Sequence, residues 1–261
     1  MKKKRQERQT RVTPIDTQAW KTIAASFLVA AFLLTSRPLI LLFNPFLTVV
    51  HELGHTILAW LFGYFAIPAF DFIYGGGVTI QTQQPILLIA IGIYTGFAYL
   101  FYRYRKNALT CKVLLGILIL YAICAYTPLH HSLMIAMGHG SELIVGGIFL
   151  YRALSGSGCC HMIERPIYGM LGFFAVLYDT RFAYRILTIP QVRSVYEEGK
   201  GGVLHHDLVR LAGEYWGVEL SIVMIGFLLL SLLTPVIPFL LFRYQVVVKE
   251  WRDRLLLKTR G

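Results

Sequence analysis

The chain has 261 residues, of which 56% are hydrophobic, and its formal net charge at neutral pH is +11. This composition excludes a disordered chain and is atypical of a water-soluble enzyme. The basic residues concentrate in three short segments, 1–11, 103–112 and 243–261, which lie between apolar runs rather than along one amphipathic face, so we expect a lipid bilayer and no nucleic acid as the partner.

Seven apolar runs are long enough, or nearly so, to cross the hydrocarbon core as helices, which takes roughly 20 residues. They lie at 21–43, 46–64, 86–102, 113–127, 132–154, 167–187 and 218–242. The predicted fold class is therefore an all-α polytopic membrane protein with six to seven hydrophobic helices. We divide the chain into a basic cytoplasmic N-terminal segment (1–20), one integral-membrane domain (21–242) and a basic cytoplasmic tail (243–261).

The three basic segments also predict the topology, because loops rich in Lys and Arg stay on the cytoplasmic side. Four runs separate segment 103–112 from the tail, as a shared side requires, but three runs separate it from the N-terminus. One of the first three runs is therefore expected to be re-entrant or interfacial, and Ser36-Arg37-Pro38 and Asn44-Pro45 are the candidate breaks, since proline removes a helix donor. We expect a multi-pass protein of the cell (inner) membrane with six spans and both termini in the cytoplasm.

Two connections between the runs are long. In the first, residues 65–85, a glycine cluster is followed by β-branched residues, which predicts a bend and a short strand at 74–81. The second, 188–217, is polar and is predicted to be an exposed loop leading into a short amphipathic helix. The four cysteines have no C-x-x-C spacing, so we expect them to be unpaired.

The second run contains the motif His51-Glu52-Leu53-Gly54-His55. On an α-helix the two histidines are about 40° apart in azimuth and about 6 Å apart along the axis, so both imidazoles can reach one metal ion. Glu52 lies on the neighbouring face, where it can take a proton from metal-bound water without being a ligand. The alternative is that these are packing residues, with Glu52 paired to Arg37. Burying three such groups in an apolar helix is costly, however, which favours a Zn²⁺ site.

With this motif the sequence resembles the site-2 protease family of intramembrane zinc metallopeptidases, in particular its compact members without a PDZ domain. The resemblance covers roughly residues 45–235 and rests on HELGH early in an apolar helix, the glycine-rich piece ending in Gly77-Val78-Thr79, and a later acidic residue within an apolar run. It implies that His51 and His55 bind zinc, that Glu52 is the general base and that the substrate is a transmembrane protein.

The family supplies its third zinc ligand as an aspartate, commonly in an L-D-G motif. The best match here is Leu177-Tyr178-Asp179-Thr180, which lacks the glycine, and Asp179 is accordingly the predicted third ligand. Asp207 is an alternative, because it resembles a polar aspartate that follows the ligand helix in compact members. His139 and Glu142, three residues apart on one helical face, are another: they could bind metal, hydrogen-bond a ligand histidine, or satisfy each other.

Two other functions are compatible with the sequence. A histidine-rich membrane metalloenzyme acting on lipid would need H-x-x-H-H boxes, and neither His130-His131 nor His205-His206 has a histidine three residues before the pair. A non-catalytic pseudoprotease, adaptor or carrier would have little reason to bury Glu52. An intramembrane zinc metalloprotease is therefore the function that the sequence favours.

Overall fold

The computed structural model describes residues 13–70, 76–199 and 205–256. The basic segment 1–11 and the last five residues of the basic tail, 257–261, therefore lie outside the described part. Helices dominate it, with one small sheet. The helices are α1 Thr17–Leu33, α2 Arg37–Leu61, α3 Leu87–Tyr104, α4 Ala108–Ala125, α5 Leu129–Ser155, α6 Glu164–Thr188, α7 Pro190–Glu198, α8 Asp207–Arg210, α9 Leu220–Leu233, α10 Val236–Arg243 and α11 Gln245–Leu256, with a π-helical turn at Leu211–Trp216 between α8 and α9; the strands are β1 Ala66–Phe70 and β2 Gly77–Gln81.

Four helical stretches in the described residues are long and apolar enough to cross a membrane: α3, α4, α5, and α9 together with α10. A fifth is obtained if α1 and α2, which meet at a bend of 112°, are counted as one broken span. The predicted run 167–187 corresponds to α6 but does not reach the required hydropathy, because Asp179, Arg181 and Arg185 interrupt it. The expected six spans thus become four or five candidates.

The bend between α1 and α2 occurs at the first of the two predicted breaks. Residues 37–43, which we assigned to the first run, begin the helix that carries HELGH. Pro38 fits there because the first turn of a helix needs no N–H donor. Pro45, by contrast, lies inside α2, so the break predicted at Asn44-Pro45 is wrong. A single proline costs one helical hydrogen bond, which surrounding helices can compensate.

Helix α5 is held between α2 and α6 at very short range. On the α2 side, the Ser141 hydroxyl donates to the Val50 carbonyl over 2.7 Å, and a methyl group added to Gly54 would come within 2.7 Å of Ser141 Cβ. On the α6 side, a methyl group on Gly172 would lie 2.8 Å from the Gly146 carbonyl oxygen. Glycines let helix backbones approach this closely. The approach brings residues 134–142 of α5 against the HELGH turn.

The two strands form an antiparallel hairpin that packs on α2, with Ile67 opposite Ile80 and Pro68 opposite Thr79. Strand β2 confirms the predicted strand over 77–81, whereas residues 71–75 of the glycine-rich piece lie outside the described part. Strand β1 was not predicted, because Pro68 in its centre argues against a strand. Its position in a two-stranded sheet explains why the missing N–H is tolerated.

The connection 188–217 ends in the predicted short helix, formed by α8 and the π-helical turn, but the residues before it are mostly helical and not a loop. Helices α7 and α8 and the π-helical turn occupy most of its described residues; Lys200, Gly201 and Gly202 lie outside the description. Tyr196, Leu208 and Leu211 are buried and share a core with α9. This core anchors Asp207, at the start of α8, against the rest of the protein. The four cysteines are free.

Candidate metal centre

The two histidines of HELGH point their Nε2 atoms at one carboxylate oxygen. Oδ2 of Asp207 lies 2.8 Å from His51 Nε2 and 3.1 Å from His55 Nε2. The two rings stand edge to face, with centroids 4.8 Å apart. The four-residue spacing on α2 creates the histidine pair, and α8 supplies the carboxylate. These three side chains form a group that could hold a metal ion.

The opposite nitrogen of each histidine is held by α5. Nδ1 of His55 lies 2.7 Å from the Met134 carbonyl oxygen, and Nδ1 of His51 lies 3.3 Å from Glu142 Oε1. Both of these partners are acceptors, so a ring that gave its Nε2 lone pair to a metal ion would keep its N–H on Nδ1. This is the arrangement that metal-binding histidines generally show, with the second nitrogen donating to a carbonyl or carboxylate.

A glycine of α5 lies directly against the two imidazoles. A methyl group built on Gly138 would lie 2.6 Å from His51 Cε1 and would overlap the Nε2 atoms of both His51 and His55. The two rings can pack this closely against α5 only because position 138 has no side chain. A larger residue there would displace the ring nitrogens that could bind a metal ion.

Glu52 is buried beneath the β-hairpin. The Thr79 hydroxyl donates to Glu52 Oε2 over 2.7 Å, and a methyl group on Gly77 would overlap the Glu52 side chain. Gly77 and Thr79 are two residues apart and therefore face the same side of β2. The hairpin thus orients the carboxylate, which does not belong to the ligand group of His51, His55 and Asp207.

Asp179, which the sequence resemblance favoured as the third ligand, does not join that group; Asp207 does. Asp179 is 1% exposed, and its Oδ1 lies 3.8 Å from His139 Nδ1. The same His139 nitrogen lies 2.9 Å from Glu142 Oε2. Of the three alternatives considered for the third ligand, Asp207 lies beside both histidines, whereas His139 and Glu142 form with His51 a second group that could hold a metal ion.

The described residues line a half-open cavity of about 510 Å³ at these groups. His51, His55, Glu52 and Asp207 all line it, and so do Gly76 to Thr79 of the hairpin side. One carboxylate outside the ligand group and three candidate ligands therefore open into the same space. A molecule entering the cavity would meet all four.

The electrostatics of Asp207 follow from its two partners. Burial by itself would raise the pKa of this carboxyl, but hydrogen bonding to His51 and His55 holds the pKa well below its ordinary value. Asp207 is thus an anion at neutral pH, which is the state that coordinates metals.

The remaining histidine pairs show no metal cluster in the part of the chain that the structure describes. His130 Nε2 is 3.1 Å from the Tyr64 hydroxyl, and its Nδ1 is 2.6 Å from the Thr127 carbonyl oxygen. Among the described residues, both groups of side chains that could hold a metal ion contain His51. The geometry gives no support to a histidine-box site built on His130-His131 or His205-His206.

Three contributors to the centre were missed in the sequence. Thr79 and Gly77 were assigned to a strand with no predicted contact to Glu52, and Gly138 was not considered. The only local signal was composition: a glycine between His139 and the preceding apolar residues, and a glycine-rich strand soon after HELGH. Neither pattern indicates which side chain the glycine must avoid.

No protein-family model, no curated protein and no solved structure matches this chain. Any function must therefore be inferred from the side chains described above and from their chemistry.

Proposed function

We propose that this protein is an integral-membrane zinc metalloprotease of the site-2 type, which hydrolyses peptide bonds in membrane-embedded protein substrates. One observation carries the proposal: the Nε2 atoms of His51 and His55 converge on a single oxygen of Asp207, in a cavity that Glu52 also lines. In this proposal Asp207, rather than Asp179, is the third ligand.

The donor set suits zinc. Two ligands at about 2.0 Å from a tetrahedral metal lie about 3.3 Å from each other, and the oxygen of Asp207 lies 2.8 and 3.1 Å from the two ring nitrogens. Two imidazoles and one carboxylate disfavour calcium and magnesium, which prefer oxygen alone. Three protein ligands are also the number found in catalytic zinc sites.

When bound there, zinc would supply Lewis acidity to a water molecule and to the substrate carbonyl. Glu52 takes the proton of the attacking water and passes it to the nitrogen of the cleaved peptide bond, so the proton count balances. The hydrogen bond from Thr79 holds Glu52 in one orientation for this transfer. Asp207, His51 and His55 remain unchanged throughout.

The hairpin and the apolar body of the protein favour a peptide substrate from the membrane. A peptide bond within a helix is shielded by its own hydrogen bonds, so the scissile segment must be extended, and β2 borders the cavity as a surface beside which an extended segment can lie. The four or five candidate spans make much of the described chain apolar. Membrane proteins are accordingly the proposed substrate class.

The test is cleavage of a membrane-protein reporter by the purified protein in proteoliposomes. We expect Glu52→Gln to lower the rate about 10²- to 10⁴-fold, the range of general acid–base catalysis. Glu250→Gln, which changes an exposed glutamate on α11, is the matched control and should cleave at the wild-type rate. Equal cleavage by Glu52→Gln and wild type would refute the mechanism.

Metal analysis of the same preparation separates the proposal from its rivals. About one zinc per chain is expected. Two irons per chain would indicate the lipid-modifying metalloenzyme instead. Unchanged cellular phenotypes for His51→Ala and Glu52→Gln would indicate a non-catalytic role.

A further inference from the structure

We infer that Glu142, His139 and Asp179 form a buried positioning chain that runs from α6 through α5 to His51 and sets the metal affinity of the centre. None of the three is a ligand in the proposed site, and the chain acts through the nitrogen of His51 that faces away from the ligand group. This inference rests on the proposed metal centre, and it assigns a role to acidic residues that catalysis itself does not use.

The first link joins Glu142 to the ligand ring. Glu142 Oε1 lies 3.3 Å from His51 Nδ1, and the glutamate is 5% exposed. His55 has a different partner, the neutral carbonyl of Met134. Because an anionic acceptor makes the opposite nitrogen a stronger donor than a neutral one does, the two ligand histidines are not equivalent. The positioning chain therefore makes His51, and not His55, the stronger donor to a metal ion.

The second link holds Glu142 in place. Nδ1 of His139 lies 2.9 Å from Glu142 Oε2, so the two carboxylate oxygens of Glu142 each face one imidazole. The His139 ring also packs against two aromatic rings, with its centroid 5.4 Å from that of Phe182 and 5.0 Å from that of Phe227. Glu142 therefore cannot turn away from His51 without losing its contact to His139.

The third link explains Asp179. Both of its oxygens are buried, and neither has a hydrogen-bond partner among the described residues. A buried carboxylate without a partner is costly. The nitrogen of His139, 3.8 Å from Oδ1, is the nearest group of opposite character recorded for it. Asp179 thus places a second acidic group beside the same His139 nitrogen that contacts Glu142, which favours the His139 orientation that holds Glu142.

The chain makes a graded prediction. Glu142→Gln keeps the shape of the side chain but removes its charge, so zinc should bind about 10–100-fold more weakly, the usual effect of losing such a partner. Asp179→Asn acts through two intervening groups, so its effect should be smaller than that of Glu142→Gln. The effect of His139→Gln should not add to that of Glu142→Gln in the double variant, because the two residues act as one unit.

The experiment measures zinc affinity of the full-length protein in detergent against a chelator, together with the visible absorption spectrum of the cobalt-loaded protein. Glu142→Gln should shift the cobalt bands, because the field of one ligand changes. Ser26→Ala, which removes a buried hydrogen bond from Ser26 to the Pro166 carbonyl on other helices, is the control and should change neither readout. Protein that has merely lost stability would not show a shifted spectrum with the metal bound.

The outcomes for the chain and for the protease differ. Wild-type zinc affinity and an unshifted cobalt spectrum in Glu142→Gln would refute the chain, even if reporter cleavage required Glu52. Weakened zinc binding in Glu142→Gln with no cleavage by the wild type would uphold the chain and refute the protease. Additive effects of Glu142→Gln and His139→Gln would also refute the chain.

Discussion

Replacing Gly138 by alanine tests the geometry of the metal centre most directly. The new methyl group would lie 2.6 Å from His51 Cε1 and would overlap Nε2 of both histidines. Ordinary carbon–nitrogen contacts are about 3.4 Å, so the rings or the backbone must move by about 1 Å. The backbone has little room to move, because Gly54 and Ser141 already hold α2 and α5 together. The rings must therefore leave their positions.

A ring displacement of about 1 Å is large for a metal site. Ligand distances in such sites are met to within about 0.2 Å, and the displaced rings would also give up their bonds to Met134 and Glu142. We expect Gly138→Ala to weaken zinc binding at least about 100-fold, which corresponds to about 2.8 kcal/mol. Reporter cleavage should fall with the metal content.

The assay is chelator competition on the purified protein, with circular dichroism to show that the helices persist. Gly147→Ala on the same helix is the matched control, since its methyl group would lie 3.8 Å from Thr234 Cγ2, an ordinary contact. It should bind zinc like the wild type. If Gly138→Ala also kept wild-type affinity, the positions of the two rings against Gly138 would not determine metal binding, and the reasoning would be wrong.

Three further predictions follow from the same contacts. Asp207→Asn removes a ligand and should weaken zinc binding more than 100-fold, which exceeds the effect of losing a residue that only hydrogen-bonds a ligand. Asp179→Asn should weaken zinc binding less than 10-fold. The reverse order in chelator competition would restore Asp179 as the ligand. Thr79→Val removes the hydrogen bond to Glu52 and should slow reporter cleavage about 10-fold or more with zinc affinity unchanged, so an unaltered rate would refute the orienting role of the hairpin. Gly54→Ala should destabilise the protein by about 1–3 kcal/mol through overpacking against α5, seen as a lower unfolding temperature in detergent; an unchanged temperature would contradict the close helix approach.

The helices were largely predictable from the sequence, but their boundaries and their roles were less so. Apolar runs of helical length predicted α3 to α6 within a few residues, because hydrophobicity and length are local properties. The break between α1 and α2 was placed ambiguously, since Pro38 and Pro45 give the same local signal. Only packing against α5 and α6 distinguishes a proline at a helix start from one that neighbouring helices tolerate.

The connection 188–217 was predicted to be less structured than it is. Its polar residues predicted an exposed loop, yet Tyr196, Leu208 and Leu211 are buried against α9. A few apolar residues spaced along a polar segment are enough to dock it when a complementary core is present. The polarity of the segment itself gives no information about that core.

The sequence by itself determined the histidine pair and the position of Glu52, because the α-helix places residues i and i+4 on one face wherever the helix lies. It did not determine the third carboxylate. Asp207 is 156 residues from His51 along the chain, and only the docking of α8 brings it to the two rings. The tertiary structure likewise decided that the two rings pack against Gly138 and that Glu142 contacts Nδ1 of His51. Contacts between residues far apart in sequence depend on how the helices pack, and packing is a property of the whole chain.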